Sequence, residues 1–122
     1  MARYVDGFVI PIPKKNVEAY RRMAKKASVV WKDHGALDYR ECVGDDLTPK
    51  GIVHVFPRAA RCKPGETVVF SWIVYKSRAH RDRVLAKVMQ DPRIAKMMDP
   101  EKPMPFDPKR MAYGGFKIIV EL

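Results

Sequence analysis

The chain has 122 residues, of which 47% are hydrophobic, and it carries a formal net charge of +10. This length suits one domain, and this apolar fraction can build a core without metal or disulfide staples. No apolar run approaches the roughly 20 residues of a membrane span, and the N-terminus has no signal-peptide core. The cysteines, Cys42 and Cys62, lack metal-ligand spacing, so we expect free thiols. These features predict a single domain, residues 1–122, in the cytoplasm, with no membrane contact.

The first half of the chain predicts a strand, a helix and a second strand. Residues 4–12 have strand character and end at two prolines. From residue 14 to 33 apolar residues recur at helical spacing, and Gly35 is placed to end that helix. Residues 36–43 form the second predicted strand. Residues 47–66 are interpreted as an insertion, with a candidate edge strand over residues 52–56.

The second half predicts a strand, a helix and a final strand. Residues 67–76 are the strongest strand in the chain, and Ser77 is expected to cap the helix that follows. Asp91-Pro92 ends that helix, a short helical turn follows, and residues 100–110 form a proline-rich loop. The last strand covers residues 112–120, where Gly114-Gly115 predicts a bulge or a close backbone approach. The order βαββαβ predicts an α+β, ferredoxin-like sandwich: an antiparallel sheet with two helices on one face.

Alternation along the strands divides the predicted sheet into two faces. One face, which includes Phe70 and Trp72, is almost wholly apolar, so we expect it under the helices. The other face mixes apolar and charged side chains, and a second copy of the sheet is its simplest cover. We therefore expect a homodimer, or dimeric α/β barrel, with a ligand pocket on the face that the second copy covers. Its candidate lining residues are Asp6, Arg40, Cys42, Tyr75, Tyr113 and Lys117.

The mixture of rings and charges in this candidate pocket favours a small aromatic or anionic ligand. Cys42 is either an ordinary free thiol or a reactive one whose pKa Arg40 lowers. The acidic run that begins at Glu41 could attract a hard cation, but Gly44-Asp45-Asp46 is also ordinary turn chemistry. We therefore predict no metal and no cofactor.

Two histidines are second-rank candidates. His34 either lines the mouth of a pocket, near Trp31, or caps the C-terminal end of the first helix. His80 lies in the first turn of the second helix, where we expect a lowered pKa. Its alternative is a boundary residue that is hydrogen-bonded locally.

The positive charge is densest on the first predicted helix. A solvated outer face accounts for it, and polyanion binding is the alternative. The chain has no zinc-finger spacing, no RNP-type aromatic motif and no KH-type glycine loop, so RNA or DNA binding is kept only as that alternative. The basic residues are Lys14, Lys15, Arg21, Arg22, Lys25, Lys26 and Lys32.

Several segments together resemble a known superfamily. Gly35-Ala36-Leu37-Asp38-Tyr39-Arg40, followed by Ile73-Val74-Tyr75-Lys76-Ser77 and Asp91-Pro92-Arg93, is similar to the dimeric α/β barrels, which include cofactor-free antibiotic-biosynthesis-type monooxygenases. The chain more closely resembles the YbaA-like bacterial family of unknown function. That resemblance is carried by residues 36–46, 69–78, 80–82, 104–107 and 109–116. It implies a ferredoxin-like fold and a dimer, and it supplies no catalytic residue.

Three functions remain open at the level of the sequence. The first is a small-molecule-binding barrel, with cofactor-free oxygenase or isomerase chemistry suggested by analogy of fold. The second is a polyanion-binding module that uses the basic helix. The third is a non-catalytic scaffold whose barrel is filled. Whether the protein is an enzyme is not decided by its sequence.

Overall fold

The computed structural model describes residues 2–122. Its centre is a four-stranded antiparallel sheet in the order β2-β3-β1-β4. The strands are β1 (Tyr4–Pro13), β2 (Asp38–Val43), β3 (Glu66–Tyr75) and β4 (Ala112–Lys117). Each central strand runs antiparallel to both of its neighbours, as βαββαβ connectivity requires in a ferredoxin-like sheet. The predicted α+β, ferredoxin-like fold is confirmed.

Four helices connect the strands. A 3-10 turn, Lys14–Asn16, leads into α1 (Val17–Asp33), and α2 (Phe56–Ala59) lies in the long connection between β2 and β3. After β3 come α3 (Arg78–Met89) and α4 (Pro92–Met97). Local signals set the ends of the two long helices: Gly35 follows α1 with φ +110°, and the Ser77 side chain accepts a hydrogen bond from the His80 N–H.

One face of the sheet packs against α1 and α3 to form the core. One cluster joins Tyr4, Ile73 and Tyr75 of the sheet to Val30 of α1 and Val84 of α3. A second cluster joins the far half of the sheet to the start of α1, through Ile10, Ile12, Val69, Tyr20 and Ala24. The helix-facing side of β1 and β3 is therefore the side that carries Tyr4, Asp6 and Tyr75.

The predicted assignment of the two faces is wrong for β1, β3 and β4 and right for β2. Phe70 and Trp72 were expected under the helices, but they lie on the open face, where Phe70 is 42% exposed. Alternation separates two faces without saying which one the helices cover. We call the face under the helices the covered face. Its charged residues are tolerated because side chains from the helices reach them, as Arg81 of α3 reaches Asp6.

Two predicted strand segments also differ. Residues 52–56 form no strand; Phe56 instead begins α2, whose first turn takes Pro57 readily because the first helical N–H groups need no acceptor. The last strand ends at Lys117 rather than at Val120, since Lys117 pairs with Tyr4, the first residue of β1. Beyond it only the Ile118 N–H continues the ladder, by donating to the Arg3 carbonyl.

Candidate functional site

A cavity of about 380 Å³ lies between the helices and the covered face of the sheet. We call it the interlayer pocket. Most of its wall is apolar, and this part includes Phe8, Ile10, Trp31, Ile73, Leu85 and Phe106. Its polar lining residues are Asp6, Tyr20, Tyr39, Glu41, Ser71 and Tyr113. An apolar cavity of this size with a few polar groups is the usual form of a small-molecule site.

Asp6 is the first of two acidic groups in the interlayer pocket. Its side chain is only 1% exposed, and its Oδ1 accepts a hydrogen bond of 2.7 Å from Arg81 Nη1. The same nitrogen donates to the Tyr113 hydroxyl at 2.9 Å. Within residues 2–122, Asp6 Oδ2 has no hydrogen-bond partner. Burial raises the pKa of Asp6, and the Arg81 charge, followed by the nearby hydroxyls of Tyr113 and Tyr75, acts against that rise.

Glu41 is the second acidic group, and it is held by two tyrosines. The Tyr20 hydroxyl donates to Oε1 at 2.7 Å, and the Tyr39 hydroxyl donates to Oε2 at 2.8 Å. Burial raises the pKa of Glu41 although these hydrogen bonds lower it, and burial beside Glu41 raises the pKa of both phenols. In the described part of the chain no cation lies within 4.0 Å of the Glu41 carboxylate.

The strand register fixes how the two acids face each other. Asp6 pairs with Ile73, and Glu41 pairs with Ser71, so β3 separates them and they lie two residues apart along it. From ordinary strand spacings their Cα atoms are about 12 Å apart. Both belong to the covered face. A molecule in the interlayer pocket can therefore meet one carboxyl group near each end.

The structure brings together only part of the predicted pocket. Asp6 and Tyr113 line the interlayer pocket. Tyr75 is fully buried near Asp6, where its hydroxyl accepts a 3.1 Å hydrogen bond from Trp31 Nε1. Burial, then the Asp6 charge, raises the pKa of Tyr75. These residues lie under the helices of one chain, not on the face that a second sheet could cover.

The other three predicted residues lie elsewhere. Arg40 and Cys42 pair in register with Trp72 and Phe70, on the open face. There Arg40 Nε donates to Asp38 at 3.1 Å. Lys117 is exposed at the end of β4. The six candidates consequently do not form one site, because the face assignment was reversed for β1, β3 and β4 but correct for β2.

The two histidines have local partners. His34 occupies the C-cap of α1, and its Nε2 lies 2.8 Å from Asp91 Oδ2. His80 Nδ1 accepts a 3.0 Å hydrogen bond from the Lys76 N–H. Burial, and then the nearby cations beginning with Lys76, lowers the pKa of His80. Neither residue lines the interlayer pocket.

Sequence reasoning missed Glu41, Arg81 and Tyr20 as parts of a pocket. One signal was available: an aspartate on a mainly apolar strand needs a cationic partner, and α3 offers several. Which one reaches Asp6 depends on a contact across 75 residues, which spacing does not reveal.

Three basic residues of α1 line a separate cavity of about 900 Å³ between α1, α4 and the proline-rich loop, which we call the basic groove. Arg22, Lys25 and Lys26 line it together with Lys96 and Lys102. Among the described residues, these five cations have no acidic group within 4.0 Å.

Two further properties concern residues 2–122. No helix there is long and apolar enough to cross a membrane. No group of three or more histidine, cysteine or acidic side chains gathers there as metal ligands do. The run that begins at Glu41 does not gather on one face of the sheet, since Glu41 faces the helices while Cys42 belongs to the open face.

Comparisons with known proteins agree with this fold. The chain is 46% identical to the "Uncharacterized protein YbaA" of Escherichia coli (strain K12) and of Shigella flexneri, over 119 residues that cover 98% of each chain. A solved structure described as a dimeric ferredoxin-like protein, from an uncultured marine organism, aligns with a TM-score of 0.63 and 11% identity over all of both chains. The family described as "Protein of unknown function (DUF1428)" matches residues 3–108. The chain therefore belongs to the DUF1428 family, as its YbaA-like motifs predicted.

Proposed function

We propose that this protein binds a small, largely apolar molecule in the interlayer pocket and moves a proton on it, as an isomerase does without a cofactor. The observation that carries the proposal is the pair Asp6 and Glu41, two carboxyl groups with raised pKa that face one apolar cavity. Acids and bases work best when their pKa approaches the working pH, and burial moves carboxyl groups in that direction.

The surroundings of the two carboxyl groups suit different roles. Arg81 contacts Asp6 and favours its ionised form, so Asp6 is the base and takes a proton on Oδ2. Glu41 has no cation in contact and holds a proton more readily, so it is the acid. The electron pair released at one end of a conjugated substrate moves to the other end, where Glu41 supplies a proton. Asp6 then loses a proton to water and Glu41 regains one, which restores both groups. No oxidant or reductant is consumed in this step, so the reaction is an isomerisation.

The first experiment is native mass spectrometry on freshly purified protein. A small extra mass on the chain supports the interlayer pocket as a ligand site, and Ala27→Phe, which fills that pocket, is expected to remove it. Ala19→Phe, on the exposed side of the same helix, is the matched control. Protein without extra mass, and without affinity for naphthalene as an apolar probe, would contradict ligand binding and favour a scaffold.

The proton-transfer part of the proposal has its own test. The molecule recovered from the protein is incubated in deuterated water with catalytic amounts of enzyme. We expect carbon-bound hydrogen to exchange with wild type and not with Asp6→Asn. Exchange that is equal in the two proteins would contradict the role of Asp6, while the binding result would stand.

We also propose that two copies pack through their open sheet faces. That face carries the partly exposed rings of Phe70, Trp72 and Phe116, beside Val5 and Val9. Phe116 is 59% exposed, and Ile119, Val120 and Leu122 after β4 are more exposed still. A contiguous apolar surface of this kind is typical of an interface. Because the interlayer pocket lies on the other side of the sheet, each copy keeps its own pocket.

The assembly is tested by light scattering coupled to size exclusion. We expect twice the 14.0 kDa mass of the chain for wild type and a single chain for Phe116→Glu. Val29→Glu, at a residue of α1 that is 51% exposed, controls for the loss of an exposed apolar side chain. A monomeric wild-type protein would contradict the proposal.

Polyanion binding remains a second candidate, supported by the five unpaired cations of the basic groove. It predicts that binding of single-stranded RNA weakens steeply as salt rises. Lys25→Glu with Lys26→Glu is expected to abolish that binding, whereas Lys14→Glu with Lys15→Glu, at the start of the helix, keeps it. A flat response to salt would contradict this function.

A further inference from the structure

We infer that the ligand of the interlayer pocket is a neutral molecule with an apolar frame and a hydroxyl group, and that this hydroxyl donates its hydrogen bond to Asp6 Oδ2. The inference rests on the proposed ligand-binding function and names the chemical class that the pocket accepts. It departs from the expectation of an anionic ligand.

The first argument is the free oxygen of Asp6. The side chain is 99% buried, and one oxygen is held by Arg81, whereas Oδ2 has no partner within residues 2–122. A buried acceptor without a donor destabilises the folded state, so native structures rarely leave one unpaired. Asp6 lines the interlayer pocket, so a donor brought by a ligand can satisfy Oδ2.

The second argument is the charge of the pocket wall. The acidic residues among the described lining residues are Asp6 and Glu41, and no lysine or arginine is among them. Arg81 is not a lining residue, and it already donates to Asp6, Tyr113 and Asp82. An anionic ligand would enter an apolar cavity beside two acids without a cation to balance its charge, which is costly.

The third argument is the shape of the polar groups. Mostly apolar wall separates Asp6 from Glu41 in the interlayer pocket. From ordinary strand spacings, their Cα atoms are about 12 Å apart. A flat aromatic or conjugated frame fills that interval and contacts Trp31 and Phe8. A hydroxyl at one end then reaches Oδ2.

The test uses four probes of one frame that differ in a single group. These are naphthalene, 2-naphthol, 2-methoxynaphthalene and 2-naphthoate, titrated by calorimetry into the wild-type protein at neutral pH. A hydrogen bond to a charged acceptor predicts that 2-naphthol binds about tenfold to hundredfold more tightly than naphthalene. The methoxy compound cannot donate and should match naphthalene, and the anionic naphthoate should bind more weakly than either.

The variant Asp6→Asn sharpens the test. Its amide oxygen can keep the hydrogen bond from Arg81, and its amide nitrogen then replaces Oδ2 as a donor. We expect the preference to invert, so that 2-methoxynaphthalene equals or exceeds 2-naphthol. Asp38→Asn, on β2 at the open face, is the matched control and should keep the wild-type order. If Asp6→Asn does not fold, the four wild-type affinities still decide.

The outcomes separate this inference from the function on which it rests. Equal affinity for all four probes, or tightest binding of 2-naphthoate, overturns the neutral-hydroxyl ligand while leaving a small-molecule pocket. Failure of all four to bind up to their solubility limits overturns the pocket itself.

Discussion

The Tyr20 hydroxyl donates to Glu41 Oε1 at 2.7 Å, and this contact ties α1 to β2 at the edge of the interlayer pocket. Tyr39 donates to the other oxygen of the same carboxyl group. The two phenols satisfy Glu41 without neutralising it. A carboxyl group that is hydrogen-bonded but has no cation beside it remains responsive to pH, which suits a proton-transfer group.

The first prediction concerns the pH dependence that Glu41 gives to stability. Burial raises its pKa above the ordinary 4.5, so the folded state holds this proton more firmly than the unfolded state. The resulting stabilisation is present below about pH 4.5 and is lost as pH rises through the folded-state pKa. In Glu41→Gln this loss is removed, so the variant should gain stability relative to wild type as pH rises from 4.5 to 8. Urea unfolding at several pH values measures the difference.

The control for this experiment is Glu18→Gln, on the exposed side of α1. It removes the same charge without touching the interlayer pocket. If the stability curves of wild type and Glu41→Gln ran parallel from pH 4.5 to 8, the raised pKa of Glu41 would be refuted.

The second prediction concerns the buried ion pair. Arg81→Met leaves Asp6 buried without its cation, and breaking a buried pair in this way costs roughly 3 kcal/mol of unfolding free energy. Adding Asp6→Asn to Arg81→Met removes the stranded charge and should recover part of the loss. Arg40→Met breaks an exposed pair with Asp38 and should cost less than about 1 kcal/mol.

Chemical denaturation of the four proteins decides this prediction. A double variant no more stable than Arg81→Met would mean that the single variant fails for lost packing, such as the contact of Arg81 over the Tyr4 ring, rather than for lost charge.

Local signals in the sequence predicted most of the fold because the structures they specify are local. The α1 residues of the predicted apolar stripe, from Val17 to Trp31, are buried or half-buried, whereas Val29, outside that stripe, is exposed. Gly35 and Ser77 end α1 and cap α3 as predicted. Each of these features depends on neighbours a few residues away. Helix period, capping and strand order together specify βαββαβ.

The site was harder to predict because its contacts are distant. Asp6 and Tyr113 were identified, but their partner Arg81 belongs to a helix, and Tyr20 meets Glu41 only after α1 has packed on the sheet. The error about the two faces has the same origin. Both faces contain enough apolar residues to be buried, so alternation cannot show which one the helices cover.

The third prediction tests the close approach at Gly115. A Cβ at this position would lie 2.4 Å from the hydroxyl oxygen of Tyr4, whose ring is buried and cannot move freely. Gly115→Ala should therefore lower the unfolding free energy by about 1–3 kcal/mol through overpacking. Gly114→Ala is the matched control, since its Cβ would meet only Phe116, at 3.7 Å. Equal effects of the two substitutions on the urea midpoint would contradict the argument.

The fourth prediction concerns acid stability at a pair far from the interlayer pocket. Arg110 donates from Nη1 to Glu66 Oε2 at 2.7 Å and from Nη2 to Oε1 at 2.8 Å, and the Lys63 N–H also donates to Oε1. Arg110 first, then the Lys63 N–H, lowers the pKa of Glu66 from 4.5 to about 2. These contacts fasten the loop before β3 to the turn before β4.

A lowered pKa in the folded state stabilises the protein where the carboxylate is ionised. The contribution of Glu66 is therefore present above about pH 4.5 and is lost as pH falls towards 2. Glu66→Gln should be less stable than wild type at pH 7, and the difference should shrink as pH falls through that range. Glu101→Gln, exposed in the proline-rich loop, controls for the lost charge. A deficit that stayed constant down to pH 2 would show that the substitution acts through lost hydrogen-bond geometry, because a constant deficit leaves no room for a proton taken up on unfolding.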